Sequence, residues 1–476
     1  MRPAAPALID EERTVTYAEL AERVLRTAGY LAALGLKQGD FVGLSLKDDS
    51  EHLIVLIAVA RIGAISIEID WRTPLTERAR VVSIFAPKLV IAAPGINFGE
   101  SCPSVVLDSE WDAVVAQAPH AKDLPLDWNA PAAVLGSSGT TGLPKFTIAT
   151  HLQLYLHAAA YLEMVPAARL HRYLQTFPLY FSAGRKACLA FLMRGDTVVL
   201  HPALFDAREL IEAVSGLKVT VGFIAPSLVR QLLQMAGSRE SLFPDMDFLM
   251  SVGAPLFAEE KSDALRRLTP NFYEFYGATA IGPISILRPS DMAERSTSVG
   301  RPLTLIDVEV VDEDDQLVGA YTVGRLRCRG PGLASPVIGL GHEPAQDFRN
   351  GWHYPGELAS IDSQGYIYLK GRTSEVVFRG GAKIFPEEVE AILKMHDAVT
   401  ESAAVAVQSS EDEHEQMMVA YVTCRRKVTA GELIAHCRTH LAGFKVPREI
   451  KIVSTLPKNS SGKIDKLTLK SLAEGR

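Results

Sequence analysis

The sequence predicts an α/β protein with a large N-terminal domain of doubly wound sheets, a β subdomain and a small C-terminal α+β domain. Segments typical of strands and helices alternate early in the chain, a stretch with alternating apolar residues and frequent turns follows residue 297, and strand and helix patterns alternate again near the end. Alternating strands and helices are the sequence form of a parallel sheet covered by helices. With 476 residues, 47% of them hydrophobic, the chain is long enough for two or three domains.

Charge and cysteine content exclude several classes of protein. The formal net charge is −7 and no run of five like charges occurs, which disfavours nucleic-acid binding. The five cysteines are scattered without CxxC spacing, which disfavours both a disulfide framework and a zinc site. The apolar run at 53–60 is too short to span a membrane, and the first residues contain no segment of signal-peptide length. We therefore expect a cytoplasmic protein that binds neither membrane nor nucleic acid.

The first elements follow from hydrophobic periodicity. Apolar residues three and four apart predict a helix that begins near Thr16 and stops at Gly35. The segment GDFVGLSL predicts a strand, and AISIEID predicts another. Between them the pattern predicts a helix through Ile54–Ile62. This order favours a doubly wound sheet.

A segment dense in glycine and hydroxyl groups, LGSSGTTGLPK, runs from Leu135 to Lys145. Glycines let the backbone approach a polyphosphate closely, hydroxyls donate hydrogen bonds to its oxygens, and Lys145 adds positive charge. The spacing does not fit a Walker A loop, and a flexible linker is the alternative. The predicted phosphate-binding residues are Ser137, Ser138, Gly139, Thr140, Thr141, Gly142 and Lys145.

The middle of the chain predicts a helix from about His151 to Met164, an aromatic loop, a buried helix and the strand DTVVL. Arg185 and Lys186, at the start of the buried helix, could attract a second carboxylate of a substrate or could be solvated. Cys188 is expected in the core.

Two later regions of the chain predict a β subdomain and a small C-terminal domain. Residues 298–332 alternate apolar positions between turns and predict an antiparallel β subdomain. The strands AAVAVQ and MMVAYVTC and a helix at GELIAHCRTHL predict the small C-terminal domain.

The segment SSGTTGLPK, followed by Thr150 and His151, resembles the phosphate loop of the AMP-forming adenylating enzymes, which include acyl-CoA synthetases, peptide-synthetase adenylation domains and luciferases. Further segments resemble this family in the same order from Thr16 to Lys466, and acid–CoA ligases are the most similar group. The resemblance implies that Gly253, Ala254 and Pro255 pass under the adenine of ATP.

The resemblance also assigns residues to the nucleotide and the catalytic step. Tyr276 and Gly277 correspond to residues at the purine, and Thr279 to a phosphate ligand. Glu357 stands where relatives have an aspartate that grips the ribose hydroxyls, and Arg372 is a candidate ribose or phosphate ligand. The implied catalytic residues are Lys463, Thr279 and Lys145.

The segments implied to bind the metal and the acid also depart from the family pattern. Ala280 replaces the glutamate that helps to hold Mg²⁺, so the metal ligands are unknown. The substrate pocket implied by the resemblance comprises Tyr180, Phe181 and Ala278, and Phe181 stands where many relatives have histidine. The aspartate that anchors an amino group in peptide-synthetase domains has no counterpart, which disfavours an α-amino acid.

The C-terminal part carries the remaining implied roles. The resemblance places a hinge at Ser374 and divides the chain into an ATP- and acid-binding domain, residues 1–372, and a mobile domain, residues 373–476. A loop with Gly380 and Gly381 corresponds to the passage for pantetheine in CoA-forming relatives. Lys463 corresponds to the lysine that reaches the acyl carboxylate and the α-phosphate.

The implied reaction has two steps. A small-molecule carboxylic acid attacks MgATP to give an acyl-adenylate and pyrophosphate, and a nucleophile then displaces AMP. Coenzyme A is the expected nucleophile, while a carrier-protein thiol or an amine is the alternative. The replacements at Ala280, Glu357 and Ser374, the last of which stands where relatives commonly have Asp or Lys, leave a third hypothesis, a nucleotide-binding homologue that has lost catalysis.

Overall fold

The structure, a computed structural model, describes residues 2–99, 102–125, 127–137, 145–201, 206–237, 241–254, 256–336, 347–379, 382–408, 416–458 and 463–474. None of the helices in these ranges is both long and apolar enough to cross a membrane.

The strands in the first half of the described chain are β1 (Pro6–Ile9), β2 (Thr14–Thr16), β3 (Phe41–Ser45), β4 (Ile65–Glu68), β5 (Leu89–Ala92), β6 (Ser104–Val106), β7 (Pro131–Ser137), β8 (Lys145–Thr150), β9 (Arg172–Gln175), β10 (Thr197–Leu200), β11 (Val221–Ile224) and β12 (Phe248–Val252). The helices there are α1 (Tyr17–Ala33), α2 (Ser50–Arg61), α3 (Leu75–Phe85), α4 (Trp111–Gln117), α5 (His151–Met164), α6 (Ser182–Arg194), α7 (Ala207–Gly216) and α8 (Pro226–Ala236).

The remaining strands are β13 (Phe272–Ala278), β14 (Gly282–Leu287), β15 (Arg301–Pro302), β16 (Asp307–Val311), β17 (Gly324–Arg329), β18 (Ser335–Pro336), β19 (Phe348–Arg349), β20 (Trp352–His353), β21 (Glu357–Ile361), β22 (Ile367–Arg372), β23 (Val377–Arg379), β24 (Ala382–Ile384), β25 (Val399–Gln408), β26 (Gln416–Cys424) and β27 (Glu449–Ile452). The remaining helices are α9 (Ala258–Arg267), α10 (Pro289–Arg295), α11 (Pro386–Lys394), α12 (Ala430–His440), a 3₁₀ turn at Gly443–Lys445 and α13 (Lys466–Ala473).

Two large sheets with parallel centres form the N-terminal part. Within the described ranges, one has nine strands in the order β15-β14-β13-β12-β11-β9-β10-β1-β2 and the other seven in the order β18-β8-β7-β4-β3-β5-β6. The strands from β13 to β1 in the first sheet, and from β7 to β6 in the second, run parallel. Antiparallel strands lie at both edges of the first sheet and at the β18 edge of the second. This confirms the predicted doubly wound architecture.

Helix starts and stops agree closely with the sequence in several places. Thr16 caps α1 in a reciprocal capping box with Glu19, and Gly35 follows the helix end with φ +85°. Helix α5 has the predicted bounds. Helix α2 begins at Ser50, earlier than predicted, because the Asp49 side chain accepts a hydrogen bond from the His52 N–H and caps it.

The helices α2, α5 and α6 share one core between the two large sheets. Helix α5 contacts β14 of the nine-stranded sheet as well as β7 and β8 of the seven-stranded sheet. The fully buried Tyr173 stacks on Phe191 of α6 with ring centroids 4.3 Å apart and meets Phe223 at 5.0 Å. Aromatic packing of this kind holds the layers at a fixed separation.

The β subdomain is a six-stranded antiparallel sheet in the described chain, ordered β19-β20-β17-β21-β22 with β16 paired to β17. Strands β16 and β17 lie in the predicted segment. Arg301 and Pro302, predicted to belong to this subdomain, instead form β15 and pair with β14 at the edge of the nine-stranded sheet. The sequence pattern shows that a segment is extended, but not which sheet edge it joins.

The C-terminal region contains the three-stranded sheet β25-β26-β27, the hairpin β23-β24 and helices α11 to α13. Its strands and α12 lie where the sequence predicts them, and their apolar residues form a separate core around Val399, Ala420 and Leu433. A large N-terminal and a small C-terminal domain are thus confirmed, while the division at residue 372 stays a prediction.

A buried ion pair ties α9 to β13. Lys261 and Glu274 are 2% and 3% exposed, and their ammonium and carboxylate are in direct contact. Lys261 Nζ also donates to the Ser298 carbonyl at 3.0 Å, and the Glu274 carboxylate accepts from the Leu256 N–H at 3.3 Å. Burial raises the pKa of Glu274, and Lys261 opposes that shift. The pair therefore fixes the loop before α9 relative to β13.

Replacing Glu274 by glutamine should destabilise the protein by about 3–5 kcal/mol, because Lys261 would stay buried without an anion. The matched control is Glu259→Gln on the exposed face of α9, which should cost less than about 0.5 kcal/mol. Urea unfolding of the two variants checks this. Equal midpoints would show that the pair contributes no net stability.

Candidate active site

The predicted phosphate loop joins two paired strands. Ser137 ends β7 and Lys145 begins β8, and the two residues are opposite each other in the antiparallel register. The intervening residues 138–144, which include Ser138, Gly139, Thr140, Thr141 and Gly142, lie outside the described residues. The strand ends thus show where the loop is anchored.

Gly253 and Lys463 meet although they are far apart in sequence. Gly253 has φ +106°, and a Cβ added there would lie 3.5 Å from the Lys463 side chain at Cε. Glycine is needed because other residues rarely adopt this backbone conformation. Ala254 follows in the same turn, and Pro255 is outside the described part. The C-terminal lysine therefore reaches the segment predicted to pass under the adenine.

Tyr276, Glu357 and Arg372 form a second group beside this contact. The Tyr276 hydroxyl donates to Glu357 Oε2 at 3.0 Å, and Arg372 Nη2 is 3.9 Å from Glu357 Oε1. Glu357 and Arg372 are opposite each other on β21 and β22, so the sheet register holds this pair. The Tyr276–Glu357 contact joins the nine-stranded sheet to the β subdomain.

Opposing charges set the electrostatics of this group. Burial raises the pKa of Glu357, while Arg372, the Tyr276 hydroxyl and Lys463 act to lower it. Desolvation and then Arg372 lower the pKa of Lys463, and Glu357 opposes them. Lys463 is nevertheless exposed, so its neighbours remove water from only part of the side chain. One carboxylate thus faces two cations, which leaves room for an anionic ligand.

The turn after β13 is tightly packed. A Cβ on Gly277 would lie 2.6 Å from the Gly282 carbonyl oxygen and 2.8 Å from the Phe275 ring, so only glycine fits. Ala278 ends β13 and is half-buried, and the Thr279 carbonyl accepts a hydrogen bond from Lys186 Nζ at 3.1 Å.

Ala280 is 4% exposed, and its carbonyl accepts from the Ala334 N–H at 2.7 Å. Its methyl group offers no metal ligand, and no group of three or more His, Cys, Asp and Glu side chains suited to a metal occurs among the described residues. The described residues therefore do not form a protein cage for Mg²⁺.

The predicted acid pocket begins at the start of α6. Tyr180 and Phe181 are half-buried with ring centroids 4.2 Å apart, and the Arg72 guanidinium lies 4.9 Å from the centre of the Tyr180 ring. Phe181 is the N-cap residue of α6 and makes no side-chain cap. Cys188 is fully buried in the core, as expected.

Ser374 is exposed in the turn after β22. The preceding Thr373 holds the turn by donating its N–H and its hydroxyl to the Gly356 carbonyl at 2.8 and 3.0 Å. Gly380 and Gly381 lie outside the described residues.

Sequence reasoning missed the partners that organise the site. The hydrogen bond from Tyr276 to Glu357 joins two different sheets, and Glu274 on β13 supports the segment that follows the adjacent strand β12. The sequence signals only the contact of Glu274, a charged residue inside the apolar strand pattern FYEFYGA at 272–278. A glutamate at such a position needs a buried partner.

Comparisons with known proteins agree with this arrangement. The family described as AMP-binding enzyme matches residues 1–336, and the AMP-binding enzyme C-terminal domain matches residues 388–463. A feruloyl-CoA synthase of an Amycolatopsis species is 29% identical over 98% of this chain and 95% of its own length. The 2-succinylbenzoate–CoA ligase of Bacillus subtilis strain 168 is 25% identical over 100% of this chain and 96% of its own.

The fold also matches a solved structure, that of o-succinylbenzoate CoA synthetase from Bacillus subtilis in complex with its acyl-adenylate intermediate. The TM-score is 0.88 with 24% identity, and the match covers 99% of this chain and 96% of the other. The predicted resemblance is thereby confirmed, and this chain belongs to the AMP-binding enzyme family.

Proposed function

We propose that this protein is an AMP-forming acid–CoA ligase. A carboxylate attacks the α-phosphorus of ATP, the bond to pyrophosphate breaks, and an acyl-adenylate forms. The thiol of coenzyme A then attacks the acyl carbon, and AMP leaves. The observation that carries the proposal is the convergence of Lys463 with Gly253, Glu357 and Arg372 at one place.

In the adenylation step the protein positions ATP and neutralises charge. Glu357 accepts hydrogen bonds from the ribose hydroxyls, and its contact with Tyr276 holds the carboxylate in place. Lys463 supplies a cation where negative charge gathers as the acid attacks, and Arg372 supplies a second beside it. Preorganised charges of this kind stabilise a transition state without reorganisation. Thr279 and Lys145 are proposed as phosphate ligands.

Magnesium would be bound here without a carboxylate ligand at position 280. Since Ala280 offers no oxygen, an ion that accompanies ATP would take its ligands from phosphate oxygens and water, as Mg²⁺ commonly does. No step of the proposed mechanism depends on a protein ligand to the metal. Coenzyme A is preferred to a carrier protein or an amine as acceptor because the relatives described above are CoA ligases.

The second step requires the C-terminal domain to move. Lys463 reaches the site in the present arrangement, so delivery of the thiol would require the C-terminal domain to take a different orientation. We propose that the chain pivots at the exposed Ser374. Such a rotation must break contacts between the domains.

One of those contacts is an ion pair. Lys394 on α11 lies 3.5 Å from Glu260 Oε1 on α9, and Arg230 Nε donates to the same carboxylate oxygen at 2.7 Å. The Lys394 and Glu260 side chains are only 15% and 11% exposed, so water weakens the pair little. The pair stabilises the orientation in which Lys463 reaches the site.

We expect Lys463→Ala to lower adenylation about 100- to 1,000-fold, because a cation at the developing charge is lost. ATP–pyrophosphate exchange with a panel of carboxylic acids measures this. Stability should stay unchanged, since the residue is exposed, and Lys470→Ala on the exposed face of α13 is the matched control. Exchange at the wild-type rate in Lys463→Ala would refute the assignment.

Tyr276→Phe should move the acidic limb of the pH profile to higher pH. The hydroxyl favours the charged form of Glu357, so its loss raises the pKa of that carboxyl further above its ordinary value. Protonated Glu357 then appears at a higher pH and weakens ATP binding there. The profile of kcat/KM for ATP checks this, with Tyr321→Phe at an exposed position as control. An unshifted limb would contradict the role of Glu357.

Lys394→Met should lower adenylation about three- to tenfold, because losing a partly buried ion pair shifts the domain equilibrium by about 1 kcal/mol. Thioester formation from a supplied acyl-adenylate should be unchanged or faster. Lys427→Met, an exposed substitution in the same domain, should alter neither step. Equal losses in both steps would show that the pair does not select one orientation.

A further inference from the structure

Lys186 is a buried cation for which the described residues provide no carboxylate partner. It is 3% exposed, and its Nζ donates a single hydrogen bond in the described chain, to the Thr279 carbonyl at 3.1 Å. An ammonium group has three donors, and lysine is rarely buried unless it is paired. Two of its donors are thus available to a ligand.

The neighbouring Arg185 differs from Lys186, because its guanidinium has several contacts within the protein. It donates to the carbonyls of Tyr180 at 2.8 Å and Val134 at 3.2 Å, and its Nε lies 3.8 Å from Glu68 Oε1. These contacts fix the loop before α6 and leave Arg185 a structural residue. Of the cationic pair that the sequence offers as a carboxylate site, Arg185 has a carboxylate within 4 Å, whereas Lys186 has none among the described residues.

A hydroxyl on the same helix face shares this property. Ser182 precedes Lys186 by one helical turn and is 6% exposed, and its hydroxyl has no hydrogen-bond partner among the described residues. Ser182 directly follows Phe181, a residue of the predicted acid pocket. Two unsatisfied polar groups therefore lie on one face of α6 next to that pocket.

His157 on α5 adds polarity but no charge. Its Nε2 lies 2.7 Å from the Gly332 carbonyl oxygen, and the buried Nδ1 has no hydrogen-bond partner in the part of the chain that the structure describes. Desolvation and the charge of Lys186 lower the pKa of His157 well below its ordinary value, so the ring is neutral. Desolvation, followed by Arg185, likewise lowers the pKa of Lys186. An anion bound here would remove the cost of this uncompensated charge.

We propose that Lys186 binds a second carboxylate of the acid, so that the substrate of this protein is a dicarboxylic acid. This inference rests on the proposed function. The ammonium group lies against the carbonyl of Thr279, next to the proposed ATP site, so one molecule can present one carboxylate to ATP and the other to α6. Ser182 would donate to the same distal carboxylate.

The test uses ATP–pyrophosphate exchange with aliphatic and aromatic dicarboxylates, each compared with the monocarboxylate of the same carbon skeleton. The wild-type protein should prefer at least one dicarboxylate by about 100-fold or more in kcat/KM, since a buried anion that pairs with Lys186 is worth that factor. Lys186→Met should abolish that preference through a rise in KM, and should leave the matched monocarboxylate unchanged or improved.

Two variants serve as controls. Lys186→Arg keeps the positive charge and should retain part of the preference, and Lys37→Met removes an exposed lysine and should change nothing. If Lys186→Met does not fold, Ser182→Ala provides the second test, with a smaller loss confined to dicarboxylates. Stabilisation of each variant by ATP in thermal unfolding shows that the nucleotide site is intact.

Three results would overturn the inference. A wild-type protein that activates monocarboxylates and shows no preference for dicarboxylates refutes it and leaves the proposed ligase function standing. Equal losses for both classes of acid in Lys186→Met, with ATP stabilisation kept, would mean that the lysine serves the reacting carboxylate. Exchange with none of the acids would overturn the proposed function, and the inference with it.

Discussion

The nucleotide side of the site depends on the buried ion pair between Lys261 and Glu274. Through it, helix α9, strand β13 and the segment leading into α9 are held together, because Glu274 also accepts from the Leu256 N–H and Lys261 also donates to the Ser298 carbonyl. Each of these groups is buried, so none can exchange its partner for water. The resulting rigidity fixes Gly253 relative to Tyr276, which lies two residues after Glu274.

Around this anchor the site is assembled from two separate sheets and from the C-terminal region. Tyr276 comes from the nine-stranded sheet, Glu357 and Arg372 from the β subdomain, and Lys463 from the tip before α13. Each element therefore supplies only one or two groups. The proposed movement of the C-terminal region would remove the lysine and leave the carboxylate and arginine in register on their paired strands. This separation suits two steps that need the same nucleotide but different partners.

The replacement of the family's glutamate by Ala280 bears on the buried cation Lys186. Ala280 removes a carboxylate from the turn whose Thr279 carbonyl accepts from Lys186, so the buried ammonium has no protein anion nearby among the described residues. Arg185, in contrast, donates hydrogen bonds to backbone carbonyls and lies 3.8 Å from the Glu68 carboxylate. Charge that the protein does not compensate is available to a ligand. The acid side of the pocket is therefore more polar than Tyr180 and Phe181 alone indicate.

The sequence by itself determined the order and type of most elements, because apolar periodicity and capping residues are local: the capping box at Thr16, the stop at Gly35 and the bounds of α5 could all be read directly. It also showed which residue types bear chemistry. Only the tertiary structure decided that Arg301 and Pro302 join the nine-stranded sheet and that Glu357 is held by Tyr276. It also decided that, among the described residues, Arg185 has a carboxylate nearby and Lys186 has none. The physical reason is that burial and hydrogen-bond partners come from segments far apart in the chain, and a sequence pattern carries no distances between them.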